Sequence, residues 1–527
     1  MRNLNKLQSL FNITTRRMEL SWKTTWKVLA LIVLLGALLR FYHLGENSFV
    51  ADEFLDINSA YGYTQTNLWK AWDFNFGKLA EMNLNDARDE RAFVYKWQVA
   101  ELFHFVAPTE AAARTVSVGW GIFSLLVLFW STTIFTGKKE IALVATFLCA
   151  VSISALIFSR RLRMYAMFFP LYLGAATSWY AFYELEYRGK WPVLRTLWTR
   201  YAVNGLYMPP ALLLSLLAYL THQLTPHIAL SIGLYALIMI GKHLFEGNGW
   251  HNKYAATVGL GLIGIVLLIF LAPQFVKAFL SGLTFFDNHF SYVGYVLRDF
   301  GLPLIGVLLG GFGLIALAKK PDSSNAAIFL GSAFFLPLLF AIFLWNRNAG
   351  AQYIFFVQSF WMILVAFGIY ELFSILIARF QDAGKWFRPG LLLGFLLLVP
   401  AWGYFFEENN TYHETSSSSN PNYRKVFAYF KKNQTPTDAL ITRNFRNYYW
   451  SGAKVPVYDF GGEVSHDKLT LADIEAAMQA HPTGWLIIST NDYDYISHEA
   501  EDFFKKNFSR VSNSQVRGEI EVYRWGQ

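Results

Sequence analysis

Cysteine occurs once in the 527 residues, at Cys149, so the chain can form no intrachain disulfide and must fold on packing and hydrogen bonds alone. Charge is scarce as well: 16% of residues are Asp, Glu, Lys or Arg, against 54% apolar and 18% aromatic. So little charge excludes an ordinary soluble domain, whose surface must be polar. The N-terminus lacks the short apolar core and small-residue cleavage site of a signal peptide, so its first apolar segment is expected to be retained. A phosphate-cradling glycine loop is also missing, since "YDFGGEV" lacks the flanking pattern.

Long apolar runs are what the chain has instead. They come in about eleven blocks of roughly 17 to 25 residues, the length that crosses about 30 Å of hydrocarbon at 1.5 Å per residue. Their expected cores are Thr25 to Tyr42, Ala113 to Phe135, Ile141 to Phe158, Met164 to Leu185, Leu206 to Leu220 and His227 to Phe245. Tyr254 to Pro273, Leu302 to Ala318, Ala326 to Trp345, Tyr353 to Ile377 and Leu391 to Phe406 complete the set. The fold class is therefore a polytopic α-helical membrane protein.

Basic residues set the expected orientation, because short positively charged loops resist translocation. Arg2, Lys6, Arg16, Arg17, Lys23 and Lys27 precede the first block, which places the N-terminus in the cytoplasm. Lys138/Lys139, Arg188 to Arg200, Lys242/Lys253, Lys319/Lys320 and Arg379 to Arg388 fall on the same side. Topology then explains the net charge of +8 better than nucleic-acid binding does. An odd number of crossings leaves the C-terminus outside, periplasmic or extracellular, in a multi-pass cell-membrane protein.

Two segments are neither crossing nor short connector. Residues from about 45 to 110 form a long external loop rich in acids and aromatics, in which "RAFVYKWQVAELFHFVA" has the spacing of an interfacial amphipathic helix. The expected domains are thus 1–406 in the membrane and 407–527 outside it. The latter opens with "NNTYHETSSSSNPN" and reads as a soluble α/β domain. Helical stretches are expected near Tyr423 to Lys432, Thr470 to Gln479 and Glu499 to Phe508, and strands at "ALIT", "VPVYDF", "WLIIST" and "EIEVYRW".

Asp52 and Glu53 stand out because they follow the first crossing by about ten residues, near enough to the bilayer for one carboxylate to be desolvated into a useful base. As ordinary loop acids they would carry no chemistry. Arg160, Arg161 and Arg163 in "FSRRLRMYAMFFP" lie on the expected outer side, against the positive-inside trend, and so call for an anionic partner. Either the acids of the first loop or a lipid phosphate would serve, since guanidinium binds both bidentately. His222, Lys277 and Arg347 are further polar side chains at outer ends, with a snorkelling role the plainer reading.

In order along the chain, "RFYHLGENSFVADEF", "RAFVYKWQVAELFHFVAPTEAAARTVSVGWGIFS", "FSRRLRMYAMFFPL", "YLTHQLTPHIAL", "AQYIFFVQSFWMILVAFGI" and "YRKVFAYFKKNQTPTDALI" resemble family-39-like membrane glycosyltransferases. These belong to the GT-C superfamily, with protein O-mannosyltransferases and the lipid A aminoarabinose transferase. The resemblance implies transfer of a sugar, with inversion, from a polyprenyl-phosphate carrier to an acceptor hydroxyl on a lipid, glycan or protein at the external membrane face. It implies that Asp52 is the base and Glu53 its support, orienting it or an associated divalent cation. Tyr165 matches within Arg163-Met164-Tyr165-Ala166, and His222 within Thr221-His222. Arg91, Lys96, Gln352 and Tyr353 fall in the remaining matched stretches as substrate-binding candidates.

The departures fall on the same stretches. Arg91-Ala92-Phe93 stands where relatives have His-Pro-Pro or Lys-Pro-Pro, Arg160-Arg161-Leu162 where many have an acid before Arg-Met-Tyr, and Gln352-Tyr353 where an Arg-Tyr pair is usual. The missing acid weakens a two-carboxylate metal site. The missing arginine shifts phosphate neutralisation to Arg160, Arg161, Arg163 or Arg347.

Two other classes fit a polytopic chain: a lipid or glycolipid flippase, and a non-catalytic membrane scaffold. Against the first, the blocks show no clear internal repeat and few charges near their centres.

Overall fold

The computed structural model describes residues 20–80, 91–247, 252–284, 289–345, 350–380, 384, 386–415, 418, 420–443, 446–460, 468–516 and 518–526. Its elements run α1 (Trp22–Phe41), α2 (Ala51–Thr66), β1 (Trp72–Asp73), β2 (Lys78–Leu79), α3 (Phe93–Leu102), α4 (Glu110–Thr136), α5 (Lys139–Val151), α6 (Ile153–Ser159) and α7 (Tyr165–Glu184). Next come α8 (Pro192–Tyr201), α9 (Met208–Thr221), α10 (Pro226–Phe245), α11 (Asn252–Leu271), α12 (Pro273–Ser281), α13 (Ser291–Leu297), α14 (Pro303–Ala318), α15 (Ser324–Phe343), α16 (Gln358–Arg379) and α17 (Phe387–Leu398). The C-terminal part holds α18 (Tyr423–Asn433), β3 (Asp438–Arg443), β4 (Val457–Phe460), α19 (Leu471–Ala480), β5 (Thr483–Ser489), α20 (His498–Asn507), β6 (Ser509–Arg510) and β7 (Ile520–Trp525).

Two compact units divide the chain. The first, Met1–Arg40, Gly119–Ser159 and Tyr165–Phe405, is a helical bundle. Among the described residues, six helices are long and apolar enough to cross a membrane, α1, α4, α10, α11, α15 and α16. The count becomes eight if the bent pairs α5–α6 (60°) and α8–α9 (113°) each cross once. The chain is a multi-pass membrane protein. The expected count of about eleven crossings is larger, and the other three blocks show why. Helix α7 is buried along nearly its whole length and carries Thr177 and Ser178, while α14 has 16 residues and α17 has 12.

Burial sorts the helices by composition. Helix α11 is strongly apolar and scarcely buried, as a surface wetted by lipid tails requires. Helix α7 faces protein, and there Thr177 Oγ1 and Ser131 Oγ are 2.8 Å apart, and Trp179 Nε1 donates to Ser215 Oγ at 3.1 Å. Close backbone approach holds α14 to α16. A Cβ on Gly313 would lie 2.0 Å from the Leu364 carbonyl oxygen, and one on Gly368 2.1 Å from that of Leu309.

The break between α5 and α6 is chemically satisfied. Asp299 Oδ1 accepts from Ser154 N at 2.9 Å, while Oδ2 accepts from Ser152 Oγ and Gln358 Nε2 at 2.9 Å each. On the other side of the break, buried Arg40 donates to the carbonyls of Ala150 (3.2 Å) and Cys149 (3.4 Å). Helix-end groups at Cys149, Ala150 and Ser154 thus find partners, as breaking a helix at membrane depth requires. These carbonyls hold Arg40 in the interior.

The second unit, Phe41–Val118, Arg160–Met164 and Phe406–Gln527, contains the long first loop, the arginine-rich segment and the C-terminal α/β fold. Its five-stranded sheet has the order β4-β3-β5-β7-β6. Strand β3 is parallel to β4 and β5, whereas β7 is antiparallel to β5 and β6. Ile441, Leu486, Ile488, Phe504 and Trp525 fill the core. Beyond the carboxyl ends of β3 and β5, buried Asp492 receives Arg443 (3.2 Å) and Arg446 (2.6 Å). Aromatic contacts join this part to the first loop, where Phe49 lies 5.3 Å from Tyr449 and Phe54 5.5 Å from Tyr423. Arg424 adds an ion pair to Glu110 at 2.8 Å.

Candidate active site

The expected pair of acids opens a helix. Asp52 and Glu53 occupy the first turn of α2, not an extended segment, and carboxylates there complement the unpaired N–H groups and the helix dipole. The cap residue, Val50, has no side-chain acceptor, so Glu53 makes the reverse contact alone, accepting from Val50 N at 3.0 Å.

Glu53 is fully buried and fully engaged. Its Oε1 accepts from Arg114 Nε (2.9 Å) and Leu162 N (2.7 Å), and its Oε2 from Arg114 Nη2 (2.9 Å) and Val50 N. Arg114 spends its remaining donors on the carbonyls of Leu44 (3.1 Å), Asn47 (2.8 Å) and Ser48 (3.2 Å). Burial pushes the Glu53 carboxyl up, but the charge and hydrogen bonds of Arg114, with the Leu162 and Val50 N–H groups, hold it below the ordinary carboxylate value. The desolvated member of the pair is therefore a fixed anion that stitches the Arg160–Met164 segment to α2. A divalent cation on Glu53 would have to displace these donors, so the residue does not fit a metal ligand. Among the described residues no group of three or more His, Cys, Asp or Glu is placed to hold one.

Asp52 is different. Its side chain is 45% exposed and meets Arg163 Nη2 at 3.2 Å. Arg163, 4% exposed, also donates Nη1 to Asp56 Oδ2 at 2.8 Å and to the Asp52 carbonyl at 3.2 Å. Asp52, Asp56 and Ser59 lie at i, i+4 and i+7, on one face of α2. Ser59 Oγ accepts from buried Lys96 Nζ at 3.1 Å, and Lys96 also sits 5.5 Å from the Trp69 ring. The sequence reading missed Asp56, Ser59 and Arg114. Helical spacing from Asp52 was the available signal for the first two.

The three arginines separate. Arg160 is buried, donating to the carbonyls of Tyr42 (2.5 Å), His43 (3.1 Å) and Thr411 (2.9 Å) and lying 4.4 Å from the Tyr412 ring. Its fork is directed to backbone, which makes it a clasp between the first loop and the "NNTYHETSSSSNPN" stretch. Arg161 is exposed. Arg163 joins the carboxylates.

The other candidates are placed as follows. Arg91 is half-buried in the turn before α3. Tyr95, next to Lys96, pairs its hydroxyl with Ser117 Oγ at 2.6 Å. In the first unit, Tyr165 and His222 have ring centroids 5.2 Å apart, and His222 Nδ1 accepts from Leu224 N at 3.1 Å. Gln352 and Tyr353 are half-buried in a single helical turn, with Tyr353 6.2 Å from Trp345. Arg347 lies outside the described residues.

Known structures match over nearly the full chain. ArnT from Cupriavidus metallidurans in the apo state superposes with a TM-score of 0.55 at 11% identity, covering 96% of this chain and 98% of that one. The same protein bound to undecaprenyl phosphate gives 0.54 at 10% identity over the same shares. Archaeal oligosaccharyltransferase AglB from Archaeoglobus fulgidus, in complex with an inhibitory peptide and a dolichol-phosphate, gives 0.59 at 12%, covering 95% and 74%. No family model and no curated protein matches the sequence.

Proposed function

We propose that this chain, which has the GT-C fold of those structures, is an inverting glycosyltransferase. It moves a sugar from a polyprenyl-phosphate carrier to an acceptor hydroxyl on the external face of the membrane. The observation that carries the proposal is the half-exposed Asp52, clamped by Arg163 at the start of α2 with exposed Arg161 two residues along. A carboxylate that is both oriented and reachable is what a general base requires. Fold neighbours bound to undecaprenyl phosphate and dolichol-phosphate support a carrier of this class.

In the proposed reaction Asp52 takes the proton of the acceptor hydroxyl as its oxygen attacks the anomeric carbon. The bond from that carbon to the carrier phosphate breaks, its electron pair leaves with the phosphate, and the configuration inverts. The diester becomes a monoester and gains negative charge, which Arg161 and Arg163 stabilise without an acid. Glu53, Arg114, Arg160 and Lys96 position these groups. Arg347 is assigned to the donor phosphate, and Arg91, Tyr165, His222, Gln352 and Tyr353 to substrate binding through the family resemblance. The N-terminus is cytoplasmic, and 407–527 is an external domain appended to the membrane domain 1–406.

The test is mass spectrometry of lipid-linked sugars and envelope glycans from cells with and without the protein. A polyprenyl-phosphate sugar that accumulates in its absence, together with a lost glycan, is the expected result. Unchanged pools of both would contradict the proposal.

A further inference from the structure

The helical bundle holds a crevice of about 570 Å³ walled by α1, α5, α16 and α17. It lies at the end of α1 remote from Arg40: Leu20, just before α1, lines it with Glu140 from the first turn of α5, Ser374 near the end of α16 and Arg388 at the start of α17. Its walls are largely apolar, with Ile32, Leu143, Val144 and Phe373 among them. Packing hydrocarbon against apolar walls of this extent gains the dispersion contacts of a filled core. In a membrane, hydrocarbon chains are the available filler.

The rim is cationic. Arg388 is exposed on the wall itself. Lys138 Nζ donates to the hydroxyl of Tyr370, another wall residue, at 3.0 Å. The acid at the rim, Glu140, is occupied in accepting from Leu20 N at 2.8 Å. One cation on the wall and one held at its Tyr370 thus outnumber the single Glu140 carboxylate at the rim of the apolar slot. We propose that this crevice is a binding site for one anionic phospholipid, with an acyl chain in the slot and its headgroup phosphate at Arg388 and Lys138. The occupant ties α17 to α1 and α5. The proposal is independent of the transfer reaction.

Native mass spectrometry of the full chain in detergent, titrated with phosphatidylglycerol or phosphatidylcholine of matched chains, tests it. The wild type is expected to retain one phosphatidylglycerol in preference. Arg388→Ala and Lys138→Ala should each lower that preference on the order of fivefold, the effect of one cation near an anionic headgroup. Val144→Trp, which fills the slot from α5, and Ser374→Phe, which fills it from α16, should abolish retention of both lipids. Each variant is compared at an unchanged unfolding temperature, and two fillings on separate walls guard against one failing to fold. Equal retention of the two phospholipids by the wild type, wild-type retention by a folded filled variant, or preferential retention of a polyprenyl phosphate would overturn the proposal.

Discussion

Asp52 and Glu53 are sequence neighbours, but a helix turns about 100° between them. One side chain is therefore half-exposed and the other buried. The adjacency was legible from sequence; the division of labour was not, because Arg114 lies 61 positions on and nothing local marks it as the partner. Glu53→Gln leaves Arg114 buried without its counter-charge and should cost about 3–5 kcal/mol of stability, measured by unfolding in detergent. The sign of the pH effect follows from the lowered carboxyl. Its stabilisation is full above the ordinary value of 4.5 and is lost as pH falls through the lower folded value. Acid unfolding of the wild type should therefore show a loss below about pH 4.5 that is smaller in the Gln variant. An equal acid response in both would refute the assignment. Arg163 gives a second expectation. Lysine keeps the charge but loses the fork that spans Asp52 and Asp56, so Arg163→Lys should retain more donor binding than Arg163→Ala while both lose turnover. Wild-type donor affinity in both would remove Arg163 from the phosphate site.

Among the elements, helices and strands were the most legible. The four expected strands fall on β3, β4, β5 and β7, and the three expected helices on α18, α19 and α20, because alternation and capping are local signals. The two-residue β6 was not foreseen, since a strand that short has no periodicity of its own. Bends were hidden too. Nothing in the run Ile141 to Phe158 signals the 60° turn at Ser152, which depends on Asp299 and Gln358 far along the chain. Glycine spacing in α14, facing Gly368 of α16, is a readable packing signal, and it yields an element-scale prediction. Gly313→Ala places a methyl against the Leu364 carbonyl and should cost about 1–3 kcal/mol as overpacking. The same change at Gly311, with open space around it, should be near neutral. Equal unfolding temperatures for the two variants would contradict the close α14–α16 contact.

For the whole molecule, composition alone was enough for a multi-pass membrane protein, since 54% apolar residues in long blocks admit little else. The number of crossings was less legible, because an interior helix such as α7 and a lipid-facing one such as α11 differ in what surrounds them rather than in length. Orientation is a prediction at this scale. A reporter fused after Gln527 should register as external, and one placed between Arg188 and Arg200 as cytoplasmic. The reverse pattern would put Asp52 on the cytoplasmic face and remove the proposed reaction.

The central claim, that Asp52 is the general base of a sugar transfer, is tested most directly by the turnover of purified Asp52→Asn protein with a defined polyprenyl-phosphate sugar and acceptor. The amide is isosteric with the carboxylate and cannot accept the proton. Turnover should fall by about 10² to 10⁴, with donor binding and unfolding temperature nearly unchanged. Near-normal turnover by a folded Asp52→Asn enzyme would show that this half-exposed carboxylate is only an ion-pair partner of Arg163.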